Sequence, residues 1–210
     1  MKLVCFSNNT AGGLVCDLLN GTSNISNSYN TTGHEHNVFK LGDSDTVNLI
    51  IDVHEWNKRV DQFRSYDKWF GTHQHPSVIP DLTKFDSVIS ITTMNRSSKL
   101  YRWLRIYYGW FKLNHPLYIE DDSLESIDQA RELAKNVFTP FTPYEGCINI
   151  EFSDIVNGDF VRQYNLNLDY FNKWLINNPW LYELQKYKWA VKRFNEAEYE
   201  VLNGLPFKYI

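Results

Sequence analysis

Two rhythms of hydrophobic and polar positions alternate along this chain. Short strand-like stretches rich in apolar residues stand at Lys2–Phe6 (KLVCF), 88–92 (VISIT) and 147–152 (CINIEF). Such runs, bounded by turn residues, predict strands buried on both faces of a sheet. Residues 68–72 predict one more strand. Between the runs, apolar residues recur at steps of three and four, the spacing of one helix face. That spacing predicts helices over 14–20, closed by Gly21, and over 44–66, with Leu49, Val53, Trp56, Val60 and Phe63 on one side. Ser97 or Ser98 is the expected cap of a helix to about Lys112, and Ser123 the cap of one to Phe138. Ser153 and Asp154 open a short turn or helix. Helices over 167–177 and 180–203 follow, interrupted at Pro179 and stopped by Gly204. Residues 22–36 read as an irregular polar excursion, and the two Thr-Pro pairs at 139–143 as a rigid turn.

Strands alternating with helices predict an α/β fold of three layers with a mainly parallel central sheet. The aromatic-rich helices from about 160 to 210 then form a C-terminal annex to a single domain. In such sheets ligands bind beyond the carboxyl ends of the strands. That rule puts 7–13, the residues after Thr72, and 95–98 on one rim, with Glu151 and Ser153 beside them.

Composition changes this picture little. The chain has 210 residues, a size for one domain, and a net charge of −4, which argues against wholesale nucleic-acid binding. A local basic patch remains at Arg96, Lys99, Arg102 and Arg105. Three cysteines (Cys5, Cys16, Cys147) are too few and too scattered for a disulfide framework, so a reduced, cytoplasmic setting is expected. No signal-peptide pattern and no long apolar run is read, so no membrane partner is expected.

Candidate chemistry gathers on the rim. Ser7, Asn8, Asn9, Thr10, Ala11, Gly12 and Gly13 form a small-residue turn between strand and helix, where backbone N–H groups can approach an anion. The Walker lysine is absent, and a plain tight turn is the competing reading. Arg96, with Ser97 and Ser98, stands at a helix mouth, a place suited to a phosphate. His73 supplies a base of suitable range, and His75 is its alternate two residues on. Trp69, Phe70 and Tyr101 could shape a pocket. Rival readings are a metal site drawn from His34, Glu35, His36, Asp52, His54, Glu55, His73 and His75, a phosphoryl-transfer enzyme, and a non-enzymatic domain whose C-terminal aromatics meet a partner. The first lacks a compact ligand spacing, so no metal is expected.

With these residues set out, the chain resembles the sulfotransferases, a P-loop NTPase-like α/β family that uses 3′-phosphoadenosine 5′-phosphosulfate (PAPS). The likeness lies in four places: KLVCFSNNTAGGLVCDLLN, where the family binds the 5′-phosphosulfate; GTHQHPSVIP, similar to its Lys-Thr-His-Leu-Pro segment; DSVISITT followed by Asn95-Arg96, similar to its strand ending in the arginine that grips the 3′-phosphate; and INIEFSDIVNG, similar to a late strand and short helix. The resemblance implies His73 as catalytic base, the first turn and Arg96 as the PAPS site, and a small-molecule or glycan hydroxyl as acceptor. The chain departs from the family in four respects. Asn8 or Asn9 replaces the first-turn lysine, Gly71 replaces a basic residue, Leu104 stands where a serine is expected, and the late Gly-rich basic motif is missing. These departures fit a divergent branch, such as a viral enzyme, or a domain impaired in catalysis that acts by binding.

Overall fold

A computed structural model of the chain describes residues 1–7, 10–21, 56–58, 60–61, 64–105, 135–182, 184 and 188–205. Four strands, β1 (Lys2–Phe6), β2 (Trp69–Thr72), β3 (Ser87–Thr92) and β4 (Ile148–Glu151), form a sheet of order β2-β1-β3-β4. Every pairing is parallel, so the fold is α/β. The register sets Cys5 between Thr72 and Ser90, and Thr92 beside Glu151. All four carboxyl ends therefore share one rim. The chain leaves β1 for β2 on one side and returns to β3 on the other, so the crevice between β1 and β3 is a topological switch point.

The two-residue period of the strands divides the core. Val4, Phe6, Ile89 and Ile91 point into one apolar cluster, while Leu3, Cys5, Phe70 and Val88 point into another with Trp56, Phe85 and Phe141. Burial on both faces is why β1 and β3 read as mostly apolar runs, while the more exposed β4 alternates with Asn149 and Glu151. The first cluster packs α1 (Gly12–Leu19) and α2 (Arg96–Leu104), then the short α3 (Phe152–Val156) and α4 (Asp159–Gln163), α5 (Leu168–Ile176) and α6 (Lys188–Leu202). Phe160, Phe171 and Phe194 lie in the same cluster as Val4 and Ile91, so the C-terminal helices are part of the main core.

Several boundaries differ from expectation. Asn95, rather than Ser97 or Ser98, caps α2; its Oδ1 accepts the Ser98 N–H at 2.7 Å. Phe152 opens α3 instead of ending β4. The expected helix over 180–203 starts as a 3-10 turn, Pro179–Leu181, and α6 begins at Lys188. The short α4 after Gly158 was not foreseen. Of the helices expected over 44–66, 97–112 and 123–138, residues 44–55, 106–112 and 123–134 lie outside the described residues, as does the excursion at 22–36.

Candidate anion-binding rim

The β1–α1 turn is tied down from within. The Thr10 hydroxyl donates to the Ser7 carbonyl at 2.6 Å, and Ala11 takes the left-handed conformation (φ 59) just before α1. Its N-cap residue, Ala11, has no side chain that could cap it, and no acidic residue lies in its first turn. Neither the cap residue nor the first turn offsets the positive dipole end, the electrostatics an anion prefers. Gly12 serves packing as well: a Cβ there would collide with the Phe6 ring, and one at Gly71 would come within 2.9 Å of it. The same ring lies 4.5 Å from the imidazole of His73, centroid to centroid. Phe6 therefore joins the first turn to the residue that follows β2.

The two histidines part company, because β2 ends at Thr72 and strand alternation ends with it. His75 caps the 3-10 turn Pro76–Val78: its Nδ1 accepts the Ser77 N–H at 3.2 Å. With Nδ1 an acceptor, Nε2 carries the hydrogen and donates to the Thr142 carbonyl at 3.0 Å. The ring sits edge-on to Phe141 and Tyr144. Nδ1 is engaged with the 76–78 turn and Nε2 with the 139–144 segment. Nearby, Ser7 Oγ, Thr72 Oγ1 and Gln74 Oε1 are sealed from solvent with no hydrogen-bond partner among the described residues. All three stand at or just beyond the ends of β1 and β2. Leaving such a group unmet costs about 1–3 kcal/mol; Ser90 Oγ, within β3, also lacks a partner among the described residues.

At the ends of β3 and β4 the polar groups satisfy each other. Glu151 accepts the Thr92 hydroxyl at 2.5 Å and the Asn95 N–H at 2.9 Å. The Asn95 amide donates to Ser153 Oγ, and the Ser153 N–H donates to the buried Ser98 hydroxyl. Ser98 is thus spent on structure, while Ser97 is exposed. Burial, together with the carboxylates of Asp159 and Glu151, pushes the Asp154 carboxyl above its usual range. Arg96, expected to grip an anion with the first turn, is instead paired with α6. Its Nε meets Glu198 at 2.8 Å, its Nη2 meets Asn195 Oδ1 at 2.5 Å, and its guanidinium lies 5.2 Å over the Phe194 ring. Arg102 on the same helix is buried and donates to the Asn136 carbonyl at 2.6 Å; burial lowers its pKa to about 10.

Of the residues singled out from sequence, Gly12 and His73 thus meet at Phe6, Ala11 shares its core cluster, and Ser7 and Thr10 are hydrogen-bonded within the turn; Gly13 follows in α1. His75 and Arg96 take part in other contacts, and Asn8 and Asn9 lie outside the described residues. Phe6, Thr72, Gln74 and Glu198 were not anticipated. Register from β1 was a signal for Thr72, whereas Glu198, 102 residues beyond Arg96, had no local signal. Among the described residues no three His, Cys, Asp or Glu side chains group to hold a metal, and no helix is long and apolar enough to cross a membrane. His34, Glu35, His36, Asp52, His54 and Glu55 lie outside them. No family model matches the chain, and neither a characterised protein nor a solved structure does.

Proposed function

We propose that the chain binds the anionic end of a nucleotide at the β1–α1 turn, and that the reaction served is sulfuryl transfer from PAPS to a hydroxyl acceptor on a P-loop NTPase-like scaffold. The observation that carries this reading is the N-terminus of α1, whose N-cap residue Ala11 has no capping side chain, together with the hydroxyls of Ser7 and Thr72 that lack a partner among the described residues. Helix N–H groups and neutral hydroxyls fit an oxyanion; Arg96, in the rotamer seen, does not contribute. His73 would take the proton of the acceptor hydroxyl as its oxygen bonds to sulfur and the sulfur–oxygen bond to the 5′-phosphate breaks. Backbone N–H groups of the turn would stabilise charge on the departing phosphate. A second reading, a binding domain without turnover, is favoured by the Arg96–Glu198 pair and by Asn8 and Asn9 in place of a lysine.

Thermal shift with 3′-phosphoadenosine 5′-phosphate, ATP and zinc separates these readings. The bisphosphate is expected to raise the melting temperature. Thr72→Val removes an orphaned hydroxyl at nearly constant shape, so it should stabilise the ligand-free chain by about 1 kcal/mol while shrinking the ligand-induced shift. His73→Ala should abolish turnover and keep binding; a wild-type chain that binds without turnover supports the second reading. A shift with ATP alone overturns sulfuryl transfer and leaves a nucleotide-binding domain; a shift with zinc alone overturns both readings.

A further inference from the structure

We infer that Glu198 of α6 is the residue that sets anion affinity at this rim, by acting as an internal rival for the Arg96 guanidinium. The inference rests on the anion-site reading just given. Arg96 is the first residue of α2, a short turn past the end of β3, and the Asn95 N–H just before it meets Glu151 at the carboxyl end of β4, so it stands on the rim. A cation at that point is within the field of any anion bound along the rim. Its guanidinium is nevertheless committed to α6 by the bond to Glu198, the bond to Asn195 and the face of Phe194.

The pairing is one that a ligand can break. The Arg96 side chain is 56% exposed and Glu198 only 20%. A pair whose cation lies largely in solvent is held weakly and is screened by salt. Its charged partner is fixed on a helix whose inner face is buried, with Ala190, Phe194 and Ala197 in the core. The arginine is therefore the mobile half and Glu198 the stationary one. An anion on the rim competes with a carboxylate that is already in place, and apparent affinity falls by the strength of the pair. Asn195 and Phe194 hold the guanidinium without opposing charge. Neutralising Glu198 alone thus weakens the rival attachment while leaving a shelf that keeps the side chain ordered.

Titration calorimetry with 3′-phosphoadenosine 5′-phosphate tests this on the wild type, Glu198→Gln, Arg96→Ala and the double variant, each checked by circular dichroism for an intact fold. Glu198→Gln should tighten binding by about threefold to fivefold, the reach of an exposed pair, with a smaller gain at high salt. Arg96→Ala should abolish that gain, so the double variant matches Arg96→Ala alone. A wild type that binds the bisphosphate, with a Glu198→Gln that binds no more tightly, overturns the inference and leaves the anion site standing. A gain that survives in the Arg96→Ala background also overturns it, since Glu198 would then act through general repulsion. Absence of binding by both the wild type and Glu198→Gln removes the anion site and the inference together.

Discussion

Gly12 has no room for a side chain. The ring of Phe6 fills the position a Cβ would take, and it also presses on Gly71. Gly12→Ala should therefore destabilise the chain by about 1–3 kcal/mol, the usual cost of overpacking a core. Urea denaturation measures this directly. Phe6→Leu in the same background should recover part of the loss by freeing the space; no recovery would mean that backbone conformation, not the ring, constrains Gly12. The residue shows how far sequence reading reaches. A glycine after a strand was legible as a place of close approach, but what approaches was not. An anion and a phenylalanine one turn back leave the same mark in the sequence. His75 is a similar case. Its pairing with His73 followed from strand alternation, and it failed because the strand stops at Thr72 and His75 is held by Thr142 and Phe141 instead.

Among the elements, the strands were more legible than the helix ends. Burial on both faces leaves an unmistakable apolar run, whereas a cap depends on which of several neighbouring polar residues wins. Asn95 displaced Ser97 and Ser98 because it meets α2, β4 and α3 at once through Ser98, Glu151 and Ser153. The same junction yields a pH prediction. Burial, then the carboxylates of Asp159 and Glu151, raise the Asp154 carboxyl in the folded chain. A raised folded value means that the folded state binds the proton more tightly than the unfolded one. The contribution to stability is then complete below the ordinary carboxylate range and is lost as pH rises through the raised value. Asp154→Asn should accordingly increase the melting temperature at pH 7 and leave it nearly unchanged at pH 3. A lower melting temperature at pH 7 would show that attraction to the first turn of α3 outweighs the crowding of carboxylates.

For the whole molecule, the alternation of strand and helix was enough to give a parallel α/β sheet, and the rim followed from the rule of carboxyl ends. The role of the last fifty residues did not follow, because an aromatic stripe on a helix carries no address for the surface it meets. Treated as an annex in sequence, these helices close the core: Ala190, Phe194 and Ala197 are fully buried, and Phe194 stacks on Phe138 at 5.6 Å and meets Trp103 at 6.0 Å. Truncating one such buried phenylalanine costs about 3–5 kcal/mol, against a total stability of about 5–15 kcal/mol for a domain. Removing α6 exposes Trp103 and Phe138 as well and deletes several buried side chains together, so the loss should exceed the margin. A chain ending at residue 187 is thus expected to show no cooperative melting by near-ultraviolet circular dichroism, while Phe194→Ala in the full chain melts cooperatively at a lower temperature. A sharp transition in the shortened chain would mean that the sheet with α1 and α2 folds alone, and that α6, with its hold on Arg96, is a detachable cover.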